Sequence, residues 1–313
     1  MGVKTKRPLR WYHIRWQAAV ILCIAWYFLI GRYWHPAGSG PAGPAVPRDA
    51  FQRTWSTNQF ALVGLGDSIT AGFGALGKHG YFDLLIENDD AKWPDMQGRD
   101  LKHVLPHLTA CNLSVSYTVL EEHLRDQLPS IPSYPTGVHG IVVITAGGND
   151  LIHNYGRSAP RDGAMYGCAY AQALEWKPSF ARKLKALIDG VTAHFPAGCD
   201  VFLGNFYDPT DGVGDIQHAN LLLPSWPEGL KVLPVFNGVI TETCNSYTNV
   251  HLVDFHAAFL GHGIHCRNFL NPNYRKEDPH YWYFMNLEDP NSRGYDAIRR
   301  LFLIEMSKVY HHG

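Results

Sequence analysis

The sequence predicts an α/β fold in which helices cover both faces of one five-stranded parallel sheet, with strand order 2-1-3-4-5. Two observations carry this. Short apolar, β-branched runs alternate with stretches of helical periodicity, and such alternation forces parallel strands joined by right-handed crossovers. Each chemically suggestive segment (Asp67-Ser68, Gly147 to Asp150, Tyr207 to Gly212, His256) also falls just past the carboxyl end of a predicted strand. Open α/β sheets gather their ligands on that rim. At 313 residues and 46% hydrophobic, the chain is long enough to bury one large core.

The elements follow in order. Phe60 to Leu65 is a buried strand, ended by a turn at Gly66. Tyr81 to Asn88 reads as a short helix, and the polar, proline-bearing stretch 91–106 as loop. Asn112 to Thr118 alternates like strand 2, and Glu121 to Leu128 reads as a helix closed by Pro129. The β-branched run Gly140 to Thr145 is strand 3, typical of a sheet buried on both faces. Within 171–195, Phe180, Leu184, Leu187, Ile188 and Val191 recur at helical spacing, and Pro178 is expected to break or start that helix. Strand 4 is Asp200 to Asn205, residues 229–247 are partly helical despite Pro234, and strand 5 is Val250 to Phe255. A long loop then leads to a closing helix, Ser292 to Val309, with Ile298, Leu301 and Phe302 facing inward.

Residues 59–313 therefore form the main domain. Ahead of them, residues 1–34 combine a basic tail (Lys4, Lys6, Arg7, Arg10, Arg15) with an apolar run from Trp16 to Gly31 edged by aromatics. That pattern suits an uncleaved membrane anchor with its basic end inside and the main domain exported, a cleaved signal peptide being the rival reading. Residues 35–58 begin as a Pro/Gly/Ala-rich spacer. The net charge of −1 gives no support for a nucleic-acid partner. Six cysteines show no C-x-x-C spacing; in an exported domain, Cys168 with Cys266 and Cys199 with Cys244 are the expected disulfides. The C-terminal aromatics Tyr274 and Tyr281 to Phe284 read as core and covering loop.

The most informative stretch is Gly66-Asp67-Ser68-Ile69-Thr70-Ala71-Gly72-Phe73-Gly74. A serine just past a strand exposes its hydroxyl and leaves its N–H free to face a reacting oxygen; Gly-Asp-Ser alone would equally suit a helix cap. The longer string, together with Gly147-Gly148-Asn149-Asp150 after strand 3, resembles the SGNH/GDSL hydrolases, serine esterases and lipases on a flavodoxin-like fold. The resemblance extends over roughly residues 59–310. It implies an ester substrate, an acylated glycan or lipid, and no cofactor or metal. It also implies Ser68 as nucleophile, with the Ser68 N–H and the Asn149 amide as oxyanion donors. In the family's second block Tyr117 stands where a glycine N–H would be the further donor.

The last block departs from the pattern. The family carries Asp, two residues, then His-Pro; here Asn286-Leu287-Glu288-Asp289-Pro290 puts Asp289 at the histidine and Asn286 at the aspartate. Three readings follow. A histidine from the same rim supplies the base, His262 and His265 foremost, then His256 and His280. Alternatively Asp289 is itself a slow base, its basicity raised by burial. Or the chain is a silent relative that binds a ligand in the old cleft. The His-rich loop with Asp208, Asp211 and Asp254 also permits a metal reading, without diagnostic spacing. Oligomeric state is not legible.

Overall fold

The computed structural model describes residues 15–26, 35–75, 77, 79–152, 168–218 and 225–311. The chain divides into two compact units, Met1–Pro36 and Ala37–Gly313. In the first, residues 15–26 are helical, with Trp16, Ile21, Leu22 and Trp26 exposed. Among the described residues no helix is long and apolar enough to cross a membrane. The remainder of the expected anchor, 1–14 and 27–34, lies outside them.

In the second unit, strands β1 (Gln59–Gly66), β2 (Leu108–Asn112), β3 (Val138–Thr145), β4 (Cys199–Gly204) and β5 (Val250–Val253) form one sheet of order β2-β1-β3-β4-β5. Every pairing is parallel. The principal helices are α1 (Ser68–Ala71), α2 (Tyr81–Ile86), α3 (Leu101–Val104), α4 (Leu120–Glu122), α5 (Gly148–Ile152), α6 (Tyr170–Thr192), α7 (Gly229–Asn245), α8 (Phe255–Phe259) and α9 (Ser292–Tyr310). Helix α6 packs on α7, and α2 on α9. Glycines in the strands show how closely the layers approach. Gly64 pairs with Val143, so Gly140, three residues earlier, points to the opposite face. A side chain at Gly64 would strike Phe82 of α2, and one at Gly140 would strike Phe195 just past α6.

Three expectations are corrected. Strand 2 is Leu108–Asn112 rather than Asn112 to Thr118. The Asn112 side chain accepts both the backbone N–H (3.1 Å) and the hydroxyl (2.5 Å) of Ser114. This local turn ends the strand and leaves Val115 and Tyr117 exposed. Pro178 does not break α6, because the buried stripe of Ala173, Phe180, Leu184, Leu187, Ile188 and Val191 outweighs one lost helical hydrogen bond. Neither disulfide is present: Cys199, Cys244 and Cys266 carry free thiols.

From Ala37 onward the Pro/Gly/Ala-rich stretch belongs to the same compact unit as the sheet. Arg293 donates to the carbonyls of Ser39 and Gly40 (2.8 Å each), Asp296 accepts the Ala42 N–H (3.0 Å), and Ala42 and Val46 are buried.

Candidate active site

Gly66 closes β1 with φ +135°, and a Cβ there would lie 2.1 Å from the Thr145 carbonyl oxygen, so only glycine fits. The Gln127 side chain brackets this residue, accepting its N–H and donating to its carbonyl, both at 2.8 Å. The chain is thereby aimed so that Asp67 caps α1 through the Ile69 N–H (3.1 Å) and Ser68 opens the helix. Asp67 also accepts from the Thr145 hydroxyl (3.0 Å), the inner end of a buried series running through Thr70 (2.7 Å) to the Tyr81 hydroxyl (2.6 Å). Burial pushes the Asp67 carboxyl up to about 7; the Ile69 N–H opposes that rise and the charge of Asp289 adds to it.

Two further loops meet this one. Tyr117 adopts φ +71°, the left-handed conformation that glycine would take at no cost. The next residue, Thr118, is held from three sides. Its hydroxyl donates to the Val115 carbonyl (2.6 Å) and accepts from His123 Nε2 (2.9 Å), while its carbonyl accepts from Asn149 Nδ2 (2.8 Å). Buried His123 has its pKa lowered to about 3 by desolvation and is neutral at ordinary pH. Asp150 accepts the Leu120 N–H (2.9 Å), so adjacent side chains of α5 grip the Tyr117 loop at two points. The second hydrogen on Asn149 Nδ2 has no partner among the described residues, and Asn149 lines the same cleft as Ser68.

Asp289 arrives from the opposite side, just before α9. Asn286 Nδ2 donates to its Oδ2 (2.6 Å), and Asn286 Oδ1 accepts the Glu288 (3.3 Å) and Asp289 (3.2 Å) N–H groups. Leu287 takes φ +68° to complete the turn. Burial raises the Asp289 pKa; the Ser68 side chain is the strongest opposing influence, Asn286 the next. No hydrogen bond of good geometry forms between Ser68 and Asp289, and the buried Oδ1 has no hydrogen-bond partner among the described residues. The Ser68–Asp289–Asn286 series thus has the order of a nucleophile, a base and an orienting group.

Of the histidines expected as alternative bases, the rings of His262, His265 and His280 are engaged elsewhere. His262 is buried, stacks on Trp282 (ring centroids 3.4 Å apart) and pairs through Nδ1 with the His280 carbonyl (3.1 Å); desolvation lowers its pKa to about 4. His265 pairs with Asp215 (2.9 Å), and His280 with Asp278 (2.5 Å). The backbone N–H of His256 is taken by Asn205 (2.9 Å), and its Nδ1 is buried without a partner among the described residues. Asp208 and Asp211 are taken up by backbone groups: Asp208 caps Thr210 and Gly212 in its own loop, and Asp211 holds a second loop by accepting the N–H groups of Gly261, Gly263 and His265. Among the described residues no group of three or more His, Cys, Asp or Glu side chains could hold a metal ion.

Ser68 and Asn149 line one cleft enclosing about 1020 Å³, its open mouth included. Ala146, Leu151, Phe206, Trp226, Leu230 and Leu233 make its walls largely apolar. None of its described lining residues is a histidine.

Residues 65–297 match the GDSL-like Lipase/Acylhydrolase family, about three quarters of the chain and all the loops just described. The chain belongs to this family. Its structure is similar to a lipase, Lip_vut3, from a goat rumen metagenome, at 17% identity and TM-score 0.47, over 78% of this chain and 96% of that one. It is also similar to an extracellular lipase from Streptomyces rimosus (16%, TM-score 0.47, 80% and 100%). A third similar structure is the psychrotrophic esterase EstA from Pseudoalteromonas sp. (18%, TM-score 0.43, 80% and 97%). No curated protein matches the sequence.

In this GDSL-family chain, sequence reasoning brought Ser68, Asn149, Tyr117, Asp289 and Asn286 to one rim, and the structure assembles them there. It missed Gln127 and His123, which hold the loops from behind. A buried glutamine at the end of a weakly periodic helix leaves no local signal. The lining residues Trp226, Leu230 and Leu233 precede and open a helix, where their apolarity reads as ordinary core.

Proposed function

We propose that this GDSL-family hydrolase cleaves carboxylic esters with Ser68 as nucleophile and Asp289 in place of the usual histidine base. One observation carries the reading: buried Asp289, its pKa raised, interacts with the Ser68 side chain and keeps Oδ1 without a partner among the described residues, while the rings of His262, His265 and His280 hold other partners. Asp289 takes the Ser68 proton as Oγ attacks the ester carbonyl. The charge developing on that oxygen is met by the N–H groups of Ser68 and Tyr117 and the free hydrogen of the Asn149 amide. Protonated Asp289 then returns its proton to the departing alcohol, and water repeats the cycle on the acyl-enzyme. Asn286 holds Asp289 in register. A carboxylate is a weaker base than imidazole, so turnover is expected to be slow, and burial narrows that gap.

The apolar cleft beside Ser68 suits the acyl chain of a lipid or an acylated glycan. The basic segment before an apolar run, and the exposed Trp16, Ile21, Leu22 and Trp26, support a membrane tether with the hydrolase domain outside the cytoplasm. The test is hydrolysis of short p-nitrophenyl esters by the full chain. Turnover that disappears in Ser68→Ala and falls in Asp289→Asn, but persists in His265→Ala and His280→Ala, supports the reading. Turnover that survives Ser68→Ala contradicts it. Retention of the protein in membranes after a carbonate wash tests the tether separately.

A further inference from the structure

The apolar cleft beside Ser68 has room for one arm of an ester, and the loops of the site carry a row of aromatic rings outside that cleft. Tyr117 meets Phe73 edge to face at 5.9 Å, and Phe73 meets Phe284 the same way at 5.9 Å. None of the three lines the apolar cleft. Each is fixed to a loop of the site: the Phe73 N–H donates to the Ser68 carbonyl (3.0 Å), and the Phe284 N–H to the Asp289 carbonyl (2.7 Å). Tyr117 occupies the left-handed position beside Thr118. Tyr117 is 49% exposed, and Met285, next to Phe284, is 84% exposed. A bulky aromatic held at positive φ is strained where glycine is not. The chain bears that strain beside Thr118, whose carbonyl the Asn149 side chain holds (2.8 Å).

We propose that Tyr117, backed by Phe73, is a specificity-determining residue that receives the alcohol half of the ester, and that the alcohol carries a ring. Rings offer a flat or CH-lined face to an exposed aromatic side chain; a short linear alcohol offers almost nothing. This rests on the esterase reading above and adds the class of leaving group. The backbone N–H of Tyr117 serves the oxyanion whatever the side chain, so the ring and the amide have separable roles.

The test compares kcat/KM of the full chain on benzyl butyrate, methyl 6-O-butyrylglucoside and ethyl butyrate, all esters of primary alcohols. The quantity read is the ratio of each ring ester to the ethyl ester, which cancels changes in the oxyanion site. Tyr117→Gly removes the ring while suiting the left-handed backbone, and Tyr117→Phe keeps the ring. The expected result is a ratio that falls about three- to tenfold in Tyr117→Gly and holds in Tyr117→Phe. A fall on the benzyl ester alone makes the alcohol an aryl one; a fall on the glucoside makes it a sugar. Ratios equal in all three proteins overturn the proposal and leave the esterase reading standing. Hydrolysis of none of the esters by the wild type overturns both.

Discussion

At Asp289 a carboxyl stands where the family carries an imidazole, and its surroundings set what pH does to the protein. Its pKa is raised and only the ionised form accepts a proton, so ester turnover is expected to climb as pH rises through that pKa and then level off. A profile from about pH 4 to about pH 8 checks this, and Asp289→Asn should flatten it. The neighbouring Asp67 acts on stability with the opposite sense. Its folded pKa of about 7 exceeds the ordinary 3.8, so the folded protein holds this proton more tightly than the unfolded chain. That contribution is complete below 3.8 and lost as pH rises through about 7. Asp67→Asn keeps an acceptor for Ile69 and Thr145 yet cannot ionise. Its urea midpoint relative to wild type is therefore expected to improve between about pH 5 and about pH 8.

At the scale of elements, the candidate site is three loops held in part from behind. Gln127, from the turn after α4, satisfies both backbone groups of Gly66. Gln127→Ala leaves the Gly66 N–H buried and unpaired, at a cost of about 1–3 kcal/mol, while the Gly66 carbonyl keeps the Val115 N–H (3.1 Å), and it loosens the approach to Ser68. Lower stability by urea unfolding together with a lower kcat is the expected pair of readouts. The strands were legible because β1 and β3 are continuous apolar runs, and Gly66-Asp67-Ser68 and Gly147-Gly148-Asn149 mark the turns after them. Strand β2 was not, because Leu113, Val115 and Tyr117 alternate like a strand while the Asn112 side chain captures Ser114 and turns the chain. Relocation of the base to His262 or His265 looked attractive for a similar reason. Sequence shows that a histidine is on the rim, and only packing shows that Trp282 and Asp215 already hold those two.

Across the whole molecule, α9 ties the last block to the beginning of the domain. Asp296, wholly buried, pairs with Arg299 (2.6 Å) and Arg300 (3.0 Å), and Arg300 reaches Asp95 (2.8 Å). Asp296→Ala removes the carboxylate shared by two buried guanidinium groups, leaving Arg299 with Asn88 (2.6 Å) and Arg300 with Asp95, and is expected to destabilise the domain by about 3–5 kcal/mol, read by urea denaturation. The same helix begins three residues after Asp289, so its anchoring also sets where the carboxyl meets Ser68. That meeting is the central claim, and the rate at which the full chain is labelled at Ser68 by a fluorophosphonate tests it most directly. The wild type is expected to label at Ser68, and Asp289→Asn to label about 10²–10⁴-fold more slowly. Labelling of Asp289→Asn at the wild-type rate would contradict the account.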